Sequence, residues 1–362
     1  MINFQNIKTY LICSIAFLLW SFSYSQNLNH IDINFQDSKL ILNDLQESFE
    51  SDREEYHLNS FTRTVKIDSP SKLLCDLCSC TTSSGSSGFG TLQNLNFVGI
   101  RFIYQNFESK DGIFNNSPSS EEQFYTYQAW ANIPISKKIA LNAVIPYQDL
   151  SRKRVNGNEN INGVGDITII GWYKHVLYKR PEGYNVVFEN KDPSGHQFQY
   201  GLGIKLPTGK FEEQLVDRVN PGFQVGTGST DFLISVMHNY SAKKWGIKTQ
   251  GTYYLKSENK NEYRFGNQLS ASSNVFYNIA FAKASLNPYL GISTDLYGSI
   301  RQFDEEIKDT NGYVFNATLG AEFNFDRFNL GASYTLPVAQ ELFAGNVESQ
   351  QRVSIYLNVL WQ

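Results

Sequence analysis

The stretch CDLCSC, residues 75–80, holds the side chains of this chain that are best suited to covalent or metal chemistry. Cys75, Cys78 and Cys80 are three of its four cysteines, and Cys13 is the fourth. In an oxidising compartment the default state of such thiols is a disulfide, and one of three thiols is then left for an intermolecular bond or a ligand role. Three closely spaced thiolates also suit Cu(I) or Zn(II).

The metal interpretation needs a fourth donor, because a closed structural zinc site has four ligands. Asp76, His57 or a group from another molecule could supply it. Three alternatives therefore stay open for this stretch: a disulfide or redox thiol, a Cu(I) or zinc site, and no specific role. A periplasmic redox or metal protein is the partner that the first two would imply.

The start of the chain indicates export. Lys8 provides a positive charge, YLICSIAFLLWSF provides an apolar run, and Ser23 and Ser25 are the small residues before Gln26. This pattern predicts a signal peptide over residues 1–25. A membrane anchor is the competing interpretation, but the run is short for a spanning helix, and no later stretch approaches the roughly 20 apolar residues required.

Residues 26–74 are polar and irregular, and the cysteines follow them, which predicts a flexible periplasmic arm over residues 26–92 that carries the cysteines. The stretch TTSSGSSGFG reads as a hinge at the end of this arm. The net charge of -4 comes without any Lys/Arg-rich stripe, so nucleic acid is not an expected partner.

From about residue 93 to residue 362 the sequence alternates between apolar and polar side chains. In QFQYGLGIKLPTG, for example, Phe198, Tyr200 and Leu202 share one face, and Gln199 and Lys205 share the other. A period of two with one apolar face is typical of β-strands. Aromatic residues make up 14% of the chain, which also favours strands.

About 12 such segments are present, and most reach the roughly 9–11 residues that a tilted membrane strand needs. They lie near 93–107, 122–135, 138–148, 163–178, 196–208, 228–240, 243–256, 264–279, 281–299, 311–324, 326–338 and 349–361. Short connections alternate with longer ones, as in outer-membrane barrels. The sequence therefore predicts an all-β transmembrane antiparallel barrel in the bacterial outer membrane, in contact with its lipid. A soluble secreted β-protein is the competing class.

Aromatic residues near the strand ends favour the membrane interpretation, since barrels carry aromatic girdles at both interfaces. This group contains Tyr147, Trp172, Tyr173, Tyr178, Tyr240, Trp245, Tyr253, Tyr297 and Trp361. The alternative is that these side chains fill a soluble β-core.

The charged residues of the strands are expected to point inward, because charges are costly on a lipid-facing surface. The predicted lumen-lining set is Arg101, Asp166, Lys174, Lys205, Asp231, Lys248, Asp295, Glu322 and Arg352. Two interpretations compete: a structural network across a filled lumen, or a polar path that selects a solute. Both signs of charge are present, so the sequence favours neither anions nor cations.

An enzymatic role is not expected. A lipid hydrolase would need a recognisable nucleophile motif with a histidine partner. None of the histidines outside the predicted leader lies in such a motif, and these are His30, His57, His175, His196 and His238.

Three glycine-rich motifs carry a family resemblance: GVGDITIIGWY (163–173), LPTGK (206–210) and GTGSTDFLIS (226–235). In their order and spacing, residues 95–362 resemble the outer-membrane barrel family named for a phenol meta-pathway degradation protein, whose members are often labelled transporters. The resemblance implies passage of a small-molecule solute across the outer membrane. A non-conducting structural or ligand-binding barrel is the alternative.

Overall fold

The computed structural model describes residues 88–93, 95–110, 118–154, 157–177, 195–215, 220–242 and 244–360. Within these ranges the chain forms β-strands and a 3-10 turn at Phe343–Gly345. The strands are β1 (Phe97–Lys110), β2 (Ser119–Pro134), β3 (Ile139–Arg154), β4 (Gly157–Val164), β5 (Ile167–Val176), β6 (Gly195–Leu206), β7 (Asp231–Ala242), β8 (Trp245–Leu255), β9 (Tyr263–Arg264), β10 (Gln268–Tyr277), β11 (Ile279–Ala280), β12 (Ala284–Tyr297), β13 (Arg301–Gln302), β14 (Glu305–Glu306), β15 (Gly312–Phe325), β16 (Phe328–Leu342) and β17 (Val347–Leu360).

One antiparallel sheet closes on itself as a barrel. The twelve strands of its wall are β1, β2, β3, β5, β6, β7, β8, β10, β12, β15, β16 and β17. The first and last of these strands pair, with Phe97 opposite Leu360, and β10 pairs with β12. β4 and β5 both pair with β3 and together take the place of one strand in the wall. The predicted antiparallel barrel of about 12 strands is confirmed.

The alternation read from the sequence separates an inner face from an outer face, as expected for the period of two in a strand. In β1, Arg101 and Gln105 are buried inside the barrel, whereas Ile100 is 66% exposed on the outside. Leu202 on β6 and Leu319 on β15 are equally prominent outside, at 72% and 61% exposure.

This outer belt of apolar side chains extends around the barrel. Every strand of the wall carries an exposed Val, Ile, Leu or Phe except β5, where Tyr173 takes that place. Water-soluble proteins rarely expose contiguous apolar surface on this scale, and lipid-facing barrels require it. A closed sheet also satisfies the backbone hydrogen bonds that lipid cannot. The barrel therefore spans a bilayer and is an outer-membrane protein. Among the described residues, none of the helical structure has the length and hydropathy of a membrane span.

The two rims of the barrel differ in the length of their connections. Only residues 326–327 separate β15 from β16, and residues 243–244 separate β7 from β8, on one rim. On the other rim, residues 207–230 connect β6 to β7 and residues 298–311 connect β12 to β15. Short turns face the periplasm in such barrels, which orients this one.

Two predicted loops are strands instead. The stretch 149–162 was expected to connect two strands, but β3 continues to Arg154 and β4 returns from Gly157. Similarly, β16 continues to Leu342 and leaves a short turn before β17. The prediction was wrong there because polar loop composition was given more weight than the alternation, which continues beyond the membrane.

The aromatic girdle is confirmed in part. Tyr173, Trp245 and Tyr253 are exposed on the outer face. Trp172 and Tyr297 are buried inside, and for these two the prediction was wrong. Gly201 explains the position of Trp172, because a side chain there would start 2.9 Å from the indole ring.

Candidate functional site: the barrel interior

The barrel interior divides into two parts that differ in side-chain size. On β1 to β8 an apolar cluster fills the space inside the wall, and we call this part the filled half. The cluster consists of Phe97, Trp130, Ala140, Val144, Ile170, Trp172, Leu233, Met237 and Tyr254, together with Phe89. On β10 to β17 the inner residues are mostly small and polar, and we call this part the open half: Ser272, Ser293, Thr318, Ser333, Thr335 and Ser354. Small side chains leave space beside the wall that carries them.

Two cavities follow the open half. The inner cavity comprises about 740 Å³ of space free of protein atoms, part of it open to solvent, and its lining includes Arg101, Lys248, Glu322 and Arg352. The outer cavity comprises about 430 Å³ by the same measure and is lined by Asp295 and Arg352 among others. Thr335 and Arg352 belong to both linings, so the cavities are adjacent and follow one side of the barrel.

Residues 88–92, just before β1, lie inside the barrel against the inner cavity, and we call them the inner segment. Phe89 packs into the apolar cluster of the filled half. Lys248 donates from Nζ to the carbonyl oxygens of Gly90 at 3.1 Å and Thr91 at 2.8 Å. The sequence interpretation placed these residues in a free arm and hinge, so their position inside the barrel was not foreseen.

A carboxylate holds the other end of the inner segment. The Leu92 N–H donates to Glu322 Oε1 at 2.8 Å, and the Tyr356 hydroxyl donates to the same oxygen. Arg101 donates from Nη1 to the Gly88 carbonyl at 3.4 Å and from Nε to Gln128 Oε1 at 2.7 Å. Inner-wall side chains from β1, β8 and β15 thus bind the backbone of one short segment.

The three glycine-rich motifs of the sequence meet at one buried carboxylate. Asp166, from the first motif, accepts at Oδ1 from the Gly209 N–H of the second motif at 3.0 Å. Its Oδ2 accepts from the Thr227 N–H at 2.9 Å and from the Thr227 hydroxyl at 2.6 Å, in the third motif. Asp166 lies at the break between β4 and β5 and binds both ends of the single connection between β6 and β7.

The same carboxylate belongs to a buried ion network. Lys205 Nζ lies 2.9 Å from Asp166 Oδ2 and 2.9 Å from Asp231 Oδ2, and Lys256 Nζ lies 3.3 Å from Asp231. Nearby, Arg152 Nε lies 2.9 Å from Glu122 Oε1, both fully buried. Buried charges are tolerated when paired and hydrogen-bonded, as these are. Neither network lines the two cavities.

The extracellular rim is covered by its own connections. A second apolar cluster joins inner-wall residues such as Phe124 to loop residues such as Phe223, Tyr263 and Ile300. At the surface of this cover, Glu212 accepts from Asn261 at 2.9 Å and pairs with Lys260 at 2.6 Å. The hydrogen bond from Lys260, followed by that from Asn261, lowers the pKa of the Glu212 carboxyl below its ordinary value.

The predicted lumen residues separate into distinct groups in the structure. Arg101, Lys248, Glu322 and Arg352 line the inner cavity, and Asp295 lines the outer one, where it accepts from Ser270 and Gln268. Asp166, Lys205 and Asp231 form the ion network. Lys174 is half-buried near the periplasmic rim and lines neither cavity.

The sequence interpretation missed several residues of the interior. Thr227 and Lys256 complete the ion network, and Arg152 with Glu122 forms the second pair. Continued alternation beyond residue 148 could have placed Arg152 inside. No pattern in the sequence marks the contacts of the inner segment, since they are made by backbone groups.

The predicted cysteine site lies outside the described residues, as do Trp361 and Tyr178. Within the described residues, no group of three or more metal-ligating side chains is found. His175, His196 and His238 lie on the outer face of β5, β6 and β7, with His196 Nδ1 at 3.0 Å from His238 Nε2.

No family model and no curated protein matches this sequence. Solved structures do match its fold. The COG4313 outer membrane channel from Pseudomonas putida F1 has a TM-score of 0.52 at 13% identity, covering 73% of this chain and 96% of that one. The likeness at this identity concerns the fold.

Two further structures match more distantly. The β-domain of the Bordetella autotransporter BrkA has a TM-score of 0.43 at 9% identity, covering 74% of this chain and 100% of that one. The NanC porin has a TM-score of 0.39 at 10% identity, covering 73% and 100%. Scores this low support no argument about function.

Proposed function

We propose that this protein is a channel-type outer-membrane barrel and that a small polar solute passes along its open half. The observation that carries the proposal is the pair of adjacent cavities, which share Thr335 and Arg352. Polar and charged side chains dominate the lining of the inner cavity, whereas the outer cavity combines polar residues with apolar ones such as Val314 and Leu342. A polar lining inside an apolar belt is what solute passage requires. The resemblance to the phenol meta-pathway barrel family supports transport in general, and a phenolic solute is not part of the proposal.

Passage requires the inner segment to move. Its backbone is held by Lys248 and Glu322, and Phe89 is packed into the filled half. We therefore propose a gated path rather than a permanently open pore. The arm at residues 26–92 carries this segment at its end, and the cysteine stretch lies within the same arm.

Single-channel recording in planar bilayers tests the proposal. A chain whose mature part begins at Asn96 lacks the inner segment and should conduct in longer openings than the chain with its complete arm. Passage would be refuted if neither form of the protein conducts and if cells that lack the protein take up solutes at an unchanged rate.

A matched pair of substitutions locates the path. Thr335→Trp places an indole where the two cavities meet, and it should reduce the conductance of the segment-free form severalfold. Leu336→Trp is the control, because Leu336 is the next residue and is 43% exposed on the outer face. Equal conductance in the two variants would mean that solute does not follow the open half.

The second candidate function is a non-conducting barrel with a structural or ligand-binding role. The covered extracellular rim and the inner segment favour it, since both ends of the interior are occupied. The same recordings decide between the two functions. For Cys75, Cys78 and Cys80, the redox or metal role stays a proposal from the sequence alone.

A further inference from the structure

The charged side chains of the inner cavity are unbalanced. Arg101, Lys248 and Arg352 are three cations, and Glu322 is the single carboxylate in the lining, so the formal sum is three minus one, or plus two. The outer cavity is lined by one charge of each sign, Asp295 and Arg352. In a low-dielectric barrel interior, such an excess attracts anions.

The inner segment shows where oxygen atoms are favoured. Carbonyl oxygens of Gly90 and Thr91 accept from Lys248, and the Gly88 carbonyl accepts from Arg101. A peptide carbonyl is a neutral acceptor, whereas a carboxylate adds the attraction of opposite charges to the hydrogen bonds from the same donors. The oxygen positions beside Lys248 and Arg101 would therefore be occupied more favourably by a carboxylate than by this backbone.

The other contact of the inner segment has the opposite polarity. Glu322 accepts from the Leu92 N–H and from the Tyr356 hydroxyl. When a solute replaces the segment, Glu322 keeps the Tyr356 hydroxyl and loses the Leu92 N–H. A solute with a donor of its own is therefore favoured, because it restores a hydrogen bond that the buried carboxylate would otherwise lose. The cavity thus presents cations on one side and a carboxylate acceptor on the other.

We propose that the inner cavity binds a small organic carboxylate that also carries a hydroxyl or amino donor. Its carboxylate takes the place of the Gly90 and Thr91 carbonyls at Lys248 and of the Gly88 carbonyl at Arg101, and its donor group contacts Glu322. The inner segment and the solute then compete for the same side chains, so solute binding favours release of the segment. This inference rests on the proposed passage and names the solute class for it.

Lactate and its neutral amide, lactamide, are matched probes, since they differ by the charge of one group. Flux of each into proteoliposomes is measured with the segment-free form. Lactate should cross about tenfold faster than lactamide, since one charge-assisted hydrogen bond is worth about that factor. In a potassium chloride gradient, the sign of the reversal potential should show that chloride crosses more readily than potassium.

Lys248→Met should bring the lactate-to-lactamide ratio close to one. Lys138→Met is the control for loss of one positive charge, because Lys138 is exposed in the turn between β2 and β3. Lys248→Arg keeps the charge and should retain most of the ratio, which guards against a variant that fails to fold. Heat-modifiable gel migration identifies folded barrels.

The outcomes separate the two proposals. Absence of any flux or conductance refutes passage itself. Flux with equal rates for lactate and lactamide, or with cation preference, leaves passage standing and overturns the carboxylate site. With the complete arm present, lactate should lengthen channel openings and lactamide should not; equal effects would overturn the competition.

Discussion

The filled half and the open half of the interior have the same alternation of inward and outward residues, but they differ in the size of the inward side chains. These are large in the filled half and small in the open half. In the filled half, Trp130, Trp172 and Met237 belong to one apolar cluster, whose large side chains leave little space. In the open half, Ser333 and Thr318 occupy equivalent inward positions and leave a cavity. A sheet that closes with twelve strands has a wider interior than an eight-stranded one, which side chains alone can fill.

The charged groups also separate into two sets, according to what they bind. Asp166, Lys205 and Asp231 satisfy one another inside the extracellular half of the filled side. Lys248 and Glu322 instead bind the inner segment, which is not part of the barrel wall. We infer that the first group stabilises the barrel and that the second group serves passage, and the following predictions test this division.

The largest effect is expected from Lys205→Met in the ion network. It leaves the carboxylates of Asp166 and Asp231 with one cation fewer, and loss of one member of a buried pair costs about 3–5 kcal/mol. Urea unfolding monitored by tryptophan fluorescence gives the free energy. Lys153→Met is the control, because its pair with Glu121 is 60% and 49% exposed and should contribute about 1 kcal/mol or less. Equal unfolding free energies for both variants would contradict the division.

A somewhat smaller effect is expected from Leu233→Ala in the apolar cluster of the filled half. Leu233 is buried, and truncation of a buried leucine costs about 2–5 kcal/mol. Ser333→Ala in the open half should change the unfolding free energy by about 0.5 kcal/mol or less, because its side chain borders a cavity. If the two substitutions cost the same, the open half is packed as tightly as the filled half.

The smallest effect on barrel stability is expected at the cysteine stretch. Cys75→Ser, Cys78→Ser and Cys80→Ser should leave the unfolding free energy unchanged but should each reduce Cu(I) or zinc retained in anaerobic, reducing purification, because each removes one thiolate. If Cys75 and Cys78 form a disulfide instead, alkylation of the native protein should modify Cys80 alone, with no metal present. Three alkylated, metal-free cysteines would contradict both roles.

Most of the barrel could be predicted from the sequence because its main determinant is local. Lipid outside and a polar interior impose alternation on each strand separately, so Phe198, Tyr200 and Leu202 identify their face without reference to distant residues. The inward position of charged residues follows because a charge on the lipid-facing surface is costly. Strand ends were less predictable, since β3 and β4 continue past the membrane, where lipid no longer constrains composition.

The organisation of the interior could not be predicted, because it depends on distant pairs. Asp166 and Thr227 are 61 residues apart, and the motifs that contain them gave only a resemblance. Trp172 was assigned outward because aromatic residues are common at membrane interfaces, although Gly201 on the neighbouring strand makes room for it inside. The inner segment reads GFGTL, and its two glycines, which follow a serine-rich stretch, are typical of a linker.

The position of the inner segment also has a consequence for the order of assembly. Leu92 and Glu322 are 230 residues apart, and β1 must wait for β17, the last strand, before the sheet can close. Contacts between such distant residues form late, because the entropy of a long loop must be overcome first. Neighbouring hairpins such as β15 with β16 form from local contacts and precede closure. Changes in residues 88–92 should therefore alter the rate of final ring closure and leave the earlier hairpin steps unaffected.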